Sequence, residues 1–171
     1  MNLDFISLLD ESYSPDSRVW VYQSNRLFSL GEALEIEEML SGFTSQWKSH
    51  GTPVKGAGYL FFGQFVILMA DEQATGVSGC STDSSVRLIK DIEQRFGVNM
   101  FDRTTLAFVV KDIMQLLPLT QLQYAVDNEF ISADTLYFNN VVQTREELEK
   151  NWIVPVKDSW LASKLKLKSE L

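Results

Sequence analysis

Cysteine and histidine each occur once in this chain, as Cys80 and His50, and the residues around them are of types that can do chemistry. Cys80 lies in Gly79-Cys80-Ser81-Thr82-Asp83-Ser84-Ser85, where an apolar run gives way to an amphipathic helical pattern. Free amides and aligned peptide dipoles at a helix start favour negative charge, so a thiol placed there has a lowered pKa. The same geometry binds a phosphate or carboxylate. Ser81, Thr82, Ser84 and Ser85 would add hydroxyl donors, and Asp83 would oppose an anion unless it caps the helix. With His50 in reach as base, Cys80 would be a thiol nucleophile, and Asp71, Glu72 or Asp83 could orient the imidazole. Each residue also has a plainer reading: Cys80 as a small apolar residue in a tight turn, and His50 as a surface group favoured by a helix C-terminus. Gly79-Cys80-Ser81 lacks the Gly-x-Ser-x-Gly elbow of a serine nucleophile. His50 with Asp71, Glu72 and Asp83 has no diagnostic metal spacing, so neither metal nor cofactor is expected.

Whether these residues meet depends on the elements that carry them. After the turn-forming Ser14-Pro15-Asp16-Ser17, Arg18 to Ser24 reads as a strand. Ser29-Leu30-Gly31-Glu32 matches a capping box, followed by a helical stripe of Leu30, Ala33, Ile36, Leu40, Phe43 and Trp47 running to about Ser49. Gly58 to Phe62 and Phe65 to Ala70 read as a hairpin across Gly63-Gln64, and the second strand, apolar on both faces, belongs in the middle of a sheet. A second helix follows with Val86, Ile89, Ile92 and Phe96 as its stripe and Gly97 as a left-handed stop. Thr104 to Val110 is again a strand. The order β-α-β-β-α-β predicts an α+β, ferredoxin-like antiparallel sheet with helices on one face. That topology brings His50 and Cys80 to one end, with Asp71, Glu72 and Arg18 nearby. Beyond Lys111, Leu119 to Phe130 reads as helical, Thr135 to Phe138 as a strand, and Thr144-Arg145-Glu146-Glu147 as a cap. The expected organisation is an N-terminal segment 1–17, a ferredoxin-like domain 18–112 and a C-terminal α/β module 113–171. Trp152 and Trp160 would either pack that module against the first domain or form a groove for a partner.

Composition narrows the class. The chain has 171 residues, 45% of them hydrophobic, and a formal charge of -8 from 23 acidic and 15 basic residues. That is enough apolar content for a full core, and it offers no large basic footprint for nucleic acid. Lys164-Leu165-Lys166-Leu167-Lys168 reads as a solvated tail. The longest apolar run, Phe65 to Ala70, is too short to span a membrane, and the N-terminus lacks a basic leader, so neither insertion nor export is expected. A single cysteine fits a reducing compartment, and a cytoplasmic location is expected.

Arg18 to Ser24, Trp47-Lys48-Ser49-His50-Gly51, Ser78 to Arg87, Phe101-Asp102-Arg103 and Asp158-Ser159-Trp160 together resemble a family of small uncharacterised bacterial proteins often labelled "ABC transporter ATPase". The resemblance covers nearly the whole chain. It implies no particular catalytic residues, and the label's chemistry is not supported: Gly-x-x-x-x-Gly-Lys-Ser/Thr, which cradles phosphate, does not occur. ATP hydrolysis is not expected. Leu119 to Trp152, through Gln121-Leu122, Ile131, Asp134 to Phe138 and Trp152, is similar to GYF-like modules that bind proline-rich segments, without their glycine-tyrosine-phenylalanine signature.

The functional expectation is a non-hydrolytic binding or interaction protein, its partner a small molecule or another protein, with the site at the His50/Cys80 end of the sheet. The alternatives are a thiol-dependent enzyme using Cys80 and His50, and an assembly protein associating through its sheet face or C-terminal aromatics.

Overall fold

The computed structural model describes residues 1–71, 73 and 79–167, residues 79–81 by their backbone only. In its first part the elements are β1 (Arg18–Gln23), α1 (Leu30–Gln46), β2 (Lys48–Ser49), β3 (Thr52–Pro53), β4 (Gly56–Phe61), β5 (Phe65–Ala70) and α2 (Gly79–Phe96). There follow β6 (Thr105–Val110), β7 (Ile113–Pro118), α3 (Leu122–Asp127), β8 (Leu136–Phe138), α4 (Arg145–Asn151) and β9 (Ile153–Pro155). The fold is mixed α+β with antiparallel sheets.

All six residues of β5 are buried, as a run without polar alternation demands. It lies between β1 and β4, with Ile67 opposite Val21 on one side and Tyr59 on the other. Side chains alternate across a strand, so β5 feeds two cores. Val66, Leu68 and Ala70 pack with Ile36 and Leu40 of α1 and Leu88, Ile89 and Ile92 of α2. Phe65, Ile67 and Met69 pack on the opposite face with Ala107, Phe138, Leu148 and Trp152, and with Phe5, Leu9 and Tyr13 of the N-terminal segment. The second sheet, ordered β7-β6-β8-β9, supplies that cover, and its far face carries Phe108 and Tyr137 against Leu122 and Val126 of α3. The result is four layers: two helices, three strands, four strands, and α3 with the C-terminal turns.

The strand order departs from the ferredoxin-like expectation. There the strand after α2 would lie beside β1, whereas β6 is hydrogen-bonded to β7 and β8 in the second sheet. The local cause is the turn Lys111-Asp112, at φ 51 and 61, which folds the chain back in the primed geometry and pairs β6 with β7 from Thr105↔Pro118 to Val110↔Ile113. The outer edge of β1 is met by later main chain: Val19 N donates to Gln143 O at 3.0 Å, and Arg145 N to Ser17 O at 2.8 Å.

Other local expectations hold. Gly97 ends α2 at φ 63, and Thr144 caps α4 by accepting from Glu147 N. The stripe of α1 is buried at Ile36, Leu40 and Trp47, but Leu30, on the first helical residue, is 78% exposed. Trp152 is fully buried and Trp160 lies at the surface. The basic C-terminal run is partly fastened: Lys166 N donates to Gln123 Oε1 at 2.9 Å, and Leu165 packs under α3. Among the described residues, no helix is long and apolar enough to cross a membrane.

The capping box of α1 does more than begin a helix. Arg26 donates to both Glu32 oxygens at 2.8 and 2.9 Å and to Phe96 O at 2.6 Å, tying the start of α1 to the end of α2. The Arg26 guanidinium first, and then the Ser29 amide, hold the Glu32 carboxyl down at about 2, against an ordinary value of 4.5. A depressed carboxyl stabilises the fold above its unfolded value, and that contribution fades as pH falls through the folded one. We therefore expect the stability gap between the wild type and Glu32→Gln to be constant near neutrality and to close between pH 4.5 and about 2. Urea midpoints measured across that range test this, and parallel curves would refute it.

Candidate functional site

Trp47 ends α1 and β2 follows at once, so the chain turns back at the helix terminus instead of continuing the helix to Ser49. β2 and β3 form a miniature hairpin whose tip is His50-Gly51, at φ 49 and 80. His50 is therefore an exposed hairpin-tip residue, where a following glycine accommodates the left-handed turn.

Trp47 is 3% exposed. Its ring lies 4.9 Å from that of Phe43 and 5.8 Å from that of Trp20, and the Arg18 guanidinium sits 4.9 Å over Trp20. Space for the indole exists because position 56 has no side chain: a Cβ on Gly56 would come within 2.4 Å of Trp47 Cε3. Two positions on, along the same face of β4, a Cβ on Gly58 would meet Leu40 Cβ at 3.1 Å. Two glycines thus let α1 settle onto the sheet.

Beside Trp47, a groove of about 310 Å³ runs between the end of α1, β2 and α2, lined by Phe43, Gln46, Trp47, Lys48, Ser84, Arg87, Leu88 and Asp91. Among the described residues, Phe43, Trp47 and Leu88 supply an apolar wall, and Lys48 and Arg87 bring two cations against the one carboxylate of Asp91. Trp47 Nε1 is buried and, among the described residues, without an acceptor. A buried donor left unpaired costs roughly 1–3 kcal/mol, a cost that the packing of the indole has to offset.

Of the residues singled out from sequence, Arg18, Asp71 and Ser84 are placed at this end of the fold. Arg18 pairs with Ala70 in the β1–β5 ladder, and Asp71 follows directly on β5. Asp71 is buried at 6% exposure, with Lys55 Nζ at 3.9 Å and Gln73 N donating to it at 3.0 Å. Its role there is to anchor the segment leaving β5. Ser84 lines the groove. Thr82 uses its carbonyl to accept from Ser85 Oγ at 2.6 Å, and Asp83 is exposed. Cys80 has its backbone in the first turn of α2. Its side chain, that of Ser81 and the whole of Glu72 lie outside the described residues. Phe101-Asp102-Arg103 is structural: Asp102 accepts from the Thr104 hydroxyl and amide at 2.6 and 2.7 Å and from the Thr105 hydroxyl at 2.7 Å, bonds that lower its pKa.

No family model, curated protein or solved structure matches the chain. The site therefore has to be read from its own residues. Those that sequence reasoning passed over are Arg87, Leu88 and Asp91, together with Lys48 as a groove cation. The signal was present in the helical spacing, because Ser84, Arg87, Leu88 and Asp91 share one face of α2 at intervals of three and four.

Gly56→Ala must displace the Trp47 ring. We expect a loss of about 1–3 kcal/mol in unfolding free energy and a changed indole environment by near-ultraviolet circular dichroism. Gly58→Ala, whose added carbon meets a neighbour at a longer distance, should cost less. Equal effects, or none, would contradict the packing described.

Proposed function

We propose that the chain is a non-hydrolytic binding protein whose site is the groove between the end of α1, β2 and α2. Its ligand combines an apolar, preferably aromatic body with an anionic group. The observation that carries this reading is a groove with an apolar wall of Phe43, Trp47 and Leu88 and with Lys48 and Arg87 on its rim. The apolar wall provides affinity, and the two cations provide orientation for a carboxylate or phosphate. We also read β1, α1, β4, β5 and α2 as a ferredoxin-like unit whose fourth strand has been recruited into a second sheet. The order β1-β5-β4 and the two helices on one face support this. A cytoplasmic location and membership of the family resembled above belong to the same proposal.

Phenylacetate is a suitable probe, with phenylacetamide as its neutral counterpart. In a nitrogen-15 NMR titration, the acid should shift the Trp47 indole and the amides of Lys48, Ser84 and Arg87, and the amide should bind more weakly. Lys48→Gln with Arg87→Gln should weaken the acid by about tenfold or more, the loss expected from two charge-assisted contacts. Absence of these shifts, or equal binding by the double variant, would sink the proposal.

A thiol-dependent enzyme with Cys80 as nucleophile and His50 as base is a second reading. It draws on the start of α2 at Gly79, which puts Cys80 in the first turn of an 18-residue helix. On this reading, native alkylation of Cys80 follows a thiolate pKa below the ordinary value of about 8.5, and His50→Ala raises it. Labelling only after unfolding would exclude it.

A further inference from the structure

β4 is the last strand of its sheet, and among the described residues no hydrogen bond reaches its outer side. Which of its groups face outward follows from the ladder with β5. Asp71 N donates to Lys55 O at 2.9 Å, which makes these two a hydrogen-bonded pair, and Gly56 stands opposite Ala70. Pairs alternate along an antiparallel ladder, so Ala57, Tyr59 and Phe61 bond to β5, and the amides and carbonyls of Gly56, Gly58 and Leu60 point away from the sheet. β4 reads Gly-Ala-Gly-Tyr-Leu-Phe, without a charge or a proline, and two of its outward residues have no side chain. Such an edge lacks the devices that block the addition of a strand. The outer edge of β1 differs, being closed by the bonds to Gln143 and Arg145.

α1 lies over β4, with Leu40 against Gly58 and Trp47 against Gly56. α2 is on its other side, where Arg95 pairs with Glu35 at 2.7 Å. The flank of α1 turned away from α2 therefore overhangs the open edge. Leu30, Leu34, Glu37, Glu38 and Ser41, at intervals of three and four, form that flank, and all are exposed, Leu30 at 78% and Leu34 at 55%. β4 runs opposite to α1, so the leucines lie toward the β4–β5 turn and the glutamates toward Gly58. α1 contains no lysine or arginine. Glu32 and Glu35 are paired with Arg26 and Arg95, whereas Glu37 and Glu38 have no ion-pair partner among the described residues.

An occupant of this edge has to supply main-chain donors and acceptors, a cation for Glu37 and Glu38, and an apolar group for Leu30 and Leu34. A second copy of the chain does not: pairing β4 with itself about a twofold axis sets one α1 flank against the other and like charges together, in a chain of net charge -8. We propose that the outer edge of β4 takes up an extended, basic segment of another protein as an added strand. Side chains facing one side of a strand recur at every second position, so the segment carries a lysine or arginine two residues from an apolar side chain. The groove beside Trp47 opens on the α2 side of α1, and the two sites are independent.

The probes are acetyl-Thr-Val-Lys-Thr-Leu-Val-Thr-amide and the same peptide with lysine and leucine exchanged, which cover both strand directions, together with a fully N-methylated counterpart that cannot join a ladder. Binding to the full chain is followed by nitrogen-15 NMR and amide hydrogen exchange. The expected result, with one of the two orders, is slowed exchange at Gly56, Gly58 and Leu60 and shifts of the Leu34 and Glu37 amides, with no response to the N-methylated peptide. Glu37→Lys with Glu38→Lys should weaken binding about fivefold, and Leu30→Ser with Leu34→Ser by about the same factor. All four side chains are exposed, and unchanged urea midpoints would confirm that both variants fold. No response to either order, equal binding by the N-methylated peptide, undiminished binding by both variants, or protection confined to β7 would overturn the proposal. So would protection of β4 that rises with protein concentration in the absence of peptide, which would make a second copy the occupant.

Discussion

A strand shielded from water on both faces can exist only if two separate layers are built to cover it, and β5 imposes that requirement on everything around it. Phe65, Val66, Ile67, Leu68, Met69 and Ala70 are all inaccessible to solvent. One set of alternating side chains calls for α1 and α2, and the other for the second sheet together with Phe5, Leu9 and Tyr13. Burial at roughly 25 cal/mol per Å² makes both covers favourable, and neither can be omitted without returning a full apolar face to water. The demand extends to details of the backbone. β4 gives up side chains at Gly56 and Gly58 so that α1 can approach. The β4–β5 turn holds Phe62 at φ 54, a left-handed conformation that costs a bulky residue about 1–2 kcal/mol. The ring is then placed against Phe65, Phe138 and Trp152, where aromatic contact offsets the strain.

What the sequence made legible was local and periodic. The capping box at Ser29 and Glu32, the left-handed stop at Gly97, the apolar run of β5 and the stripe of Ile89 and Ile92 each follow from chemistry confined to a few neighbouring residues. Strand partnership does not. The pattern of Thr105 to Val110 says that a strand exists, and nothing in it distinguishes β1 from β7 as its neighbour. The deciding element was a turn at Lys111-Asp112, whose residues carry none of the asparagine or glycine that usually betrays a primed hairpin. β7 was missed for the same reason. Its side chains are only half-buried, and its apolar residues run together without clear alternation.

The candidate site divides in the same way. That the start of β1 lies beside the end of β5 follows from their antiparallel pairing, whereas the β2–β3 hairpin, at a place that the helical pattern assigned to α1, was not legible. Which side chains line the groove was not legible either, since it depends on the rotation of α2 and on how far α1 sinks onto β4. Reactive residue type drew the eye to His50 and Cys80. The groove is made by commonplace residues, such as Lys48, Arg87 and Phe43, that matter through position. Trp152 and Trp160 likewise carry the same side chain to opposite ends, one a fully buried centre of the aromatic core and the other a surface ring held by Tyr137.

The main-chain bonds from Val19 to Gln143 and from Arg145 to Ser17 join residues far apart in the sequence. During synthesis, β1 emerges from the ribosome early, whereas the segment that seals its outer edge emerges only after β8 has been made. Throughout that interval the nascent sheet has an open row of amides and carbonyls beside an uncovered apolar face, the combination that templates edge-to-edge association. Arg18, at the first position of β1, sets a charge on that edge from the moment it appears. The last third of the chain thus acts as a closure, and a cell making this protein must keep its unfinished copies apart until that closure arrives.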